Sequence, residues 1–309
     1  MSFISVLIAL LLEQARPLSR GNPVHAGLRV WVRWSTRNFD AGSSFHGWLA
    51  WNFSVAGPSL VAMAVYWSLD ALLGWPIAVI WSVVVLYATL GFRQFSFHFT
   101  QIRDALANGD EGRARTLLAD WQQIDASELP RSEIVRHVIE HSVLSAHRHV
   151  FGVLFWFSLL GAFGFGPAGA VLYRMSEFVA RYWQHVSKTH YQTVSEALKQ
   201  SAGDAWTVID WLPSRATALS FAVVGSFEDA IDCWRNYEPR FAGDNDGVIL
   251  SATSGAVNIR LQGTESQSES FSGQVPEPAH LAVVVGLVWR TVVMWMVLLA
   301  LLTLAHLLG

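Results

Sequence analysis

Long apolar runs alternate with more polar, helix-like segments along this chain. The longest run, 281–308, contains one charged residue, Arg290, and exceeds the roughly 20 residues that a helix needs to cross a bilayer. Another run, 59–92, is divided by a Gly-Trp-Pro turn at 74–76. These two runs predict three membrane elements, at about 48–70, 76–93 and 281–308, and an all-α fold.

Two further apolar stretches are harder to interpret. The stretch 3–12 is too short to cross a bilayer and predicts a half-span or a surface helix. The stretch 150–173 is long enough, but four glycines and a proline interrupt its second half. It predicts either one broken span or a hairpin, since irregular backbone at membrane depth survives only where protein or water covers it.

The remaining segments predict cytoplasmic helices at 98–149 and 174–263, followed by a polar linker at 264–280. Five arginines lie within 13–44, whereas the turn at 74–76 has none. The positive-inside rule therefore places 13–45 and 93–149 in the cytoplasm. We interpret 1–309 as a single polytopic domain whose main loops are cytoplasmic.

Composition agrees with a lipid partner. Only 15% of the residues are charged, against roughly 25% in soluble domains. The net charge of −3 and the lack of a long basic run argue against nucleic-acid binding. The single cysteine, Cys233, excludes an internal disulfide.

Four histidines lie within the stretch "RHVIEHSVLSAHRHV", residues 136–150. His137 and His141 are four residues apart, so they share one helix face and are weak candidates for metal ligands. The pattern is not HExxH, and no further strong ligand has fitting spacing. We expect no metal, and interpret these histidines as interfacial, hydrogen-bonded or ligand-contacting residues, with pH sensing as an alternative.

Other chemical motifs are missing from the sequence. Neither GxxxxGK[ST] nor GxSxG occurs, and "GFGPAG" follows an apolar helix and not a strand. "GDNDG" lacks the calcium-loop register and predicts a turn. The catalytic residues, if any, stay unknown from these patterns, and no cofactor is expected.

Four segments, in order within 13–263, resemble motifs of one family. "VLFWFSLLGAFGFGPAGAVLY" is similar to PLFW…GGxPGAxxY of the CobD/CbiB family, and "DWLPSRATAL" to its NxxPARLTAL. "NDGVILSATSGAVNIRLQG" resembles NxGxxxxAMAGALGVRLGG, and "ALANGDEGRAR" resembles ALxxGDxxxAR. The resemblance implies an integral inner-membrane protein of bacteria; the family's adenosylcobinamide-phosphate synthases act late in cobalamin assembly.

The chain departs from the family where acids are expected. Of the family's IExxAENxxDG, Ile139 and Glu140 match, but the Glu-Asn pair falls on Leu144 and Ser145, and the Asp falls on Arg148. The family's NTxDSM also loses its Asn and Asp. An arginine in place of an acid disfavours Mg²⁺ and favours an anion.

This pattern is similar to the AmpE-like branch, which lacks the same acids. The resemblance therefore implies a regulatory member, or one that binds an anionic small molecule or a protein partner, and not an enzyme. The expected site is a cytoplasmic rim of six residues: Glu140, His147, Arg148, Arg215, Asn245 and Arg260.

Two alternatives stay open. The first is a true synthase, an amide ligase that would need ATP and Mg²⁺; convergence of three or more carboxylates would favour it. The second is a transporter, which only Asp70, Arg290 and the broken element support.

Overall fold

The structure, a computed structural model, describes residues 2–16, 23–189, 194–261 and 273–308. These residues are helical almost throughout, with one isolated β-bridge between Ile259 and Gln274. The all-α prediction is therefore confirmed. Most of the expected linker 264–280 lies outside the described residues; its last part begins the C-terminal helix.

The helices are named in chain order. They are α1 (Ser2–Ala15), α2 (Pro23–Phe39), α3 (Ser44–Leu73), α4 (Trp75–Thr89), α5 (Phe92–Ala107), α6 (Glu111–Gln122), α7 (Arg131–Ala146), α8 (Gly152–Ala162), α9 (Ala168–Thr189), α10 (Glu196–Val224), α11 (Phe227–Tyr237), α12 (Asn245–Val257) and α13 (Pro278–Leu308). A π-helical turn, His147–Phe151, joins α7 to α8.

Three helical stretches among the described residues are long and apolar enough to cross a membrane: Ser44–Leu73, Arg131–Ala162 and Pro278–Ala305. The first and last correspond to the spans expected at 48–70 and 281–308. The elements expected at 3–12 and 76–93 appear as shorter apolar helices, Phe3–Ala15 and Trp75–Thr89. These helices agree with a membrane protein.

The stretch Arg131–Ala162 joins a segment expected among the cytoplasmic helices to the element expected at 150–173, and its location stays a prediction. More than half of its most apolar window, 56%, is buried inside the protein. This stretch is therefore long and apolar enough to cross a membrane, but much of its surface packs against protein.

The described residues form two compact units. The first comprises the described parts of 1–91, 148–213 and 303–309, and the second those of 92–147 and 214–302. Helix α10 contributes to both, with the division after Pro213. The single domain 1–309 stays a prediction beside this division.

In the first unit, α3 packs against α2, α4 and α9, and α8 packs against α9. Trp183 is fully buried in its core, and its indole donates to Thr36 Oγ1 at 2.9 Å. Helices α8 and α9 approach so closely that a Cβ at Gly169 would strike the carbonyl of Trp156. The broken, hairpin-like form of 150–173 is thus present, with its turn at 163–167; its depth in a bilayer stays a prediction.

In the second unit, α11 packs against α12, and α12 and α5 pack against α7. Helices α11 and α12 approach closely at Gly255, because this glycine has no Cβ; a Cβ there would strike the carbonyl of Asp229. Ser226 N–H donates to the Ala256 carbonyl at 3.1 Å and fixes the turn before α11. These contacts hold the "NDGVILSATSGAV" helix, α12, within a buried setting.

Candidate functional site

A buried tyrosine–aspartate pair joins α9 to α10 in the first unit. Tyr173 Oη donates to Asp210 Oδ1 at 2.7 Å, and both side chains are fully buried. The charges of Arg148 and Glu177 also act on the Tyr173 phenol. Gly152 permits this arrangement, because a Cβ there would strike the Tyr173 ring.

A second link in this unit depends on Pro213, inside α10. Proline lacks the N–H that would bond the carbonyl four residues earlier, so the Ile209 carbonyl needs another donor. The Trp156 indole supplies it, with Nε1 donating to Ile209 O at 3.1 Å. The Trp of the "LFW" motif thus completes the helix that carries the "DWLPSR" motif.

Glu177 lies at the place where the family's NTxDSM motif begins. Its carboxylate is buried and accepts from Arg174, one turn earlier, and from Arg181 Nε, one turn later, at 2.7 Å. The first unit therefore retains a buried carboxylate on α9, but two arginines neutralise it.

Arg215 is the centre of the polar contacts in the second unit. Its Nε and Nη2 donate to Glu238 Oε1 at 3.0 and 2.6 Å, and its Nη1 donates to Asn245 Oδ1 at 2.9 Å. The Arg215 side chain is 11% exposed and that of Glu238 is 38% exposed. The "PSR" and "NDG" motifs therefore meet through a charge-assisted pair.

His147 begins the π-helical turn, at the slot of the family's acidic motif. Its ring is fully buried, and Nδ1 lies 2.9 Å from Thr217 Oγ1. π-Helical turns within α-helices occur often at functional sites. The histidine of this slot thus contacts the "ATAL" part of the motif on α10.

Tyr237 repeats the tyrosine–aspartate arrangement in the second unit. Its hydroxyl donates to Asp244, which caps α12 by accepting from Gly247 N–H at 3.0 Å. Burial and the hydrogen bond to Asp244 raise the pKa of Tyr237, so the phenol stays protonated and acts as a donor. A Cβ at Gly247 would strike this phenol.

The histidine pair considered as metal ligands lies in aromatic and backbone surroundings. The His141 ring packs edge-on against Trp121, with 4.5 Å between the ring centroids. The backbone carbonyl of His137 accepts a hydrogen bond from Gln122 Nε2 at 3.0 Å. Among the described residues, no three His, Cys, Asp or Glu side chains are grouped closely enough to hold a metal ion.

The six expected site residues do not all fall in one unit. Glu140, His147, Arg215, Asn245 and Arg260 belong to the second unit, and Arg148 belongs to the first. Of these, the structure joins Arg215 directly to Asn245. Glu140 is buried and lies 3.5 Å from Arg136 Nη1. Arg260 is exposed, and its backbone N–H donates to Gln274 O at 2.9 Å. Their role in binding stays a prediction.

Several residues that carry these contacts are not among the six expected site residues. Tyr173, Asp210, Thr217 and Trp156 stand inside the quoted motifs, and their polar groups within apolar helices are the signal that indicates them. Glu238 lies outside every motif and 23 residues from Arg215, so no local pattern indicates it.

Buried polar pairs within two helical units, in a chain with membrane-length apolar helices, define a helical membrane protein with a polar interior. The chain belongs to the CobD/CbiB family: the family described as "CobD/Cbib protein" matches residues 4–282. No solved structure matches the chain.

Three curated relatives are similar to this chain, and each is named "Cobalamin biosynthesis protein CobD". That of Stutzerimonas stutzeri is 29% identical over 96% of both chains. That of Chromobacterium violaceum is 28% identical over 69% of this chain and 66% of its own. That of Leptospira interrogans is 24% identical over 63% and 61%. These names do not support the expected AmpE-like, regulatory protein; the synthase alternative fits them better.

Proposed function

We propose that this chain acts in cobalamin biosynthesis as an enzyme of the adenosylcobinamide-phosphate synthase type. Such an enzyme joins a carboxylate of a corrin to the amine of a phosphate-bearing linker. Support comes from the family match over 4–282 and from the names of the three relatives.

The observation that carries the proposal is the pairing of motif positions. Tyr173 bonds Asp210 in the first unit, and Arg215 bonds Asn245 in the second. These residues come from three separate motifs that resemble the family's. These residues are far apart in the sequence but meet as hydrogen-bonded pairs. Buried polar groups without partners are costly, so such pairing favours the retention of the family's site in this chain.

The substrates of this reaction are rich in anionic groups, and the expected site is rich in arginine. Within the second unit, Arg215 and Arg260 would bind carboxylate or phosphate through charge-assisted hydrogen bonds. Glu140, His147 and Asn245 would orient these groups. In the first unit, the buried Tyr173–Asp210 pair fixes α9 against α10.

The reaction type implies a nucleotide and its Mg²⁺, but the described residues do not fit that ion. Mg²⁺ requires oxygen ligands, above all carboxylates. Glu177 is held by two arginines, and Arg148 stands where the family has an acid. The residues that the structure describes therefore support no step that involves a nucleotide–Mg²⁺ group.

The proposal includes a location. We infer a multi-pass protein of the bacterial inner membrane, with the arginine-rich segment 13–45 and the main loops in the cytoplasm. The support is the charge asymmetry of the sequence and the apolar helices Ser44–Leu73 and Pro278–Ala305.

Complementation of a bacterial strain that lacks its own synthase tests the function. The strain should grow with this chain when it is fed a corrin whose side-chain carboxylate is still free. It should grow without this chain when it is fed a corrin that already carries the aminoalcohol. Failure of the first arm, with normal membrane expression, would contradict the proposal.

A matched pair of variants tests the site. Both Arg260 and Arg103 are exposed, so neither substitution should disturb the fold. Arg260→Gln should slow complemented growth, whereas Arg103→Gln should not. Equal growth of the two variants would remove Arg260 from the site.

A further inference from the structure

Helix α2 exposes two adjacent stripes of different chemistry. Arg29, Arg33 and Arg37 recur every fourth residue and are all exposed, so they form one basic stripe along the helix. Val30 and Trp34 follow each of the first two arginines and are 58% and 46% exposed. An apolar stripe therefore runs beside the basic one on the open face of α2.

The opposite face of α2 is anchored within the first unit. Ser54 Oγ donates to Ser35 Oγ at 2.8 Å, and Trp183 donates to Thr36 Oγ1 at 2.9 Å. Val32 is fully buried in the same core. The helix is thus fixed in orientation, and the two exposed stripes do not contribute to this core.

Aromatic rings link the apolar stripe to α3, a helix of membrane-crossing length. Trp34 lies 5.5 Å from Trp31 and 5.6 Å from Phe53, measured between ring centroids, and Phe39 lies 5.2 Å from Phe53. Phe45 and Trp48, near the start of α3, are also exposed. Such rings concentrate at the membrane–water interface.

We propose that α2 lies in the headgroup layer of the membrane and binds anionic phospholipids through Arg29, Arg33 and Arg37, with Val30 and Trp34 inserted at the acyl boundary. A basic face beside an apolar face, next to a spanning helix, is the composition of an interfacial helix. Helix α2 contains no Asp or Glu, so every charged side chain on it is basic. This inference does not depend on the proposed enzymatic function.

The test of charge uses the full chain in bilayers of phosphatidylcholine and phosphatidylglycerol. Spin-labelled versions of each lipid report the ratio of their association constants with the protein. Wild type should prefer phosphatidylglycerol. Replacing all three α2 arginines with Gln should reduce that preference at least fivefold, since a single arginine near an anionic surface already contributes about fivefold. Replacing them with Lys should retain it.

A matched control removes the same charge elsewhere. It carries Gln at three exposed arginines of the second unit: Arg103, Arg113 and Arg235. The control should keep the wild-type preference. Equal preference for both lipids in wild type, an unchanged preference in the α2 Gln variant, or an equal loss in the control would each overturn the proposal. Equal association of both lipids, together with binding of soluble polyphosphate that the α2 Gln variant loses, would assign the stripe to a soluble anion.

A depth measurement keeps the proposal falsifiable if the Gln variant misfolds. A fluorophore on Val30→Cys, in a Cys233→Ala background, should be quenched by lipids that carry a nitroxide near the headgroup. The same fluorophore on Thr116→Cys, an exposed position of α6, should be quenched much less. Equal quenching at both positions would overturn the insertion of the apolar stripe.

Discussion

The hydrogen bond between Trp156 and the Ile209 carbonyl should depend on Pro213. Trp156→Phe keeps an aromatic ring, although a smaller one, but removes the donor, and it leaves the carbonyl of half-buried Ile209 without the indole partner. Such a loss costs roughly 1–3 kcal/mol of the free energy of unfolding. In a Pro213→Ala background the restored N–H can bond the same carbonyl, as in an uninterrupted α-helix. The cost of Trp156→Phe should therefore fall in that background.

A double-mutant cycle measures this dependence. The free energy of unfolding of the full chain is followed by helical circular dichroism in mixed micelles as the fraction of denaturing detergent rises. The coupling between Trp156→Phe and Pro213→Ala should be about 1 kcal/mol or more, above the roughly 0.5 kcal/mol scatter of independent sites. The effect of Pro213→Ala alone on the free energy of unfolding is subtracted in the cycle, so it does not change the coupling.

A control cycle uses Trp67→Phe, since the Trp67 indole donates to the Gly164 carbonyl at 2.8 Å and not to a carbonyl freed by proline. Its coupling to Pro213→Ala should be within the scatter. A coupling near zero for Trp156, or an equal coupling for Trp67, would refute the assignment of the indole as the substitute donor.

Three other substitutions or reactions have defined outcomes. Gly152→Ala should lower the free energy of unfolding by about 1–3 kcal/mol through its clash with Tyr173, whereas Gly203→Ala, with open space around it, should not destabilise; equal effects would contradict the packing argument. Arg215→Gln should lower the free energy of unfolding by about 1–3 kcal/mol, measured in the same micelles, and full stability would show that its partners re-pair. Burial and nearby aspartates raise the pKa of Cys233 to about 11 from 9.0, so at pH 8 its thiolate fraction should be about 100-fold lower than in the unfolded chain. Its alkylation should accelerate at least that much on unfolding, and rapid alkylation of the folded chain would place the thiol at the surface.

The elements that the sequence predicts best are those with strong apolar continuity. The run 281–308 becomes α13, and the Gly-Trp-Pro turn separates α3 from α4, where Gly74 has a φ of 82°. Glycine adopts this positive φ without steric cost, so a local residue type determines the turn. Such features depend on residues that are close together in the sequence, so local patterns predict them.

The interior contacts depend on residues distant in sequence, and local patterns do not reveal them. Tyr173 and Asp210 are 37 residues apart, and His147 and Thr217 are 70 apart. The resemblance to family motifs indicated which segments matter, but not which side chains would meet. The π-helical turn that joins α7 to α8 leaves no signature in hydrophobic periodicity, so the sequence does not indicate it.

That π-helical turn, His147–Phe151, has a consequence for how the chain is compared with its relatives. A π-turn accommodates one residue more than an α-turn, so it offsets the positions on either side by about 100° around the helix axis. A relative without the extra residue would align correctly only if a gap were inserted here. In an alignment without gaps, the Asp of the family's acidic motif falls on Arg148. A gap of one residue at the π-helical turn would place that Asp opposite His147 or His149 instead.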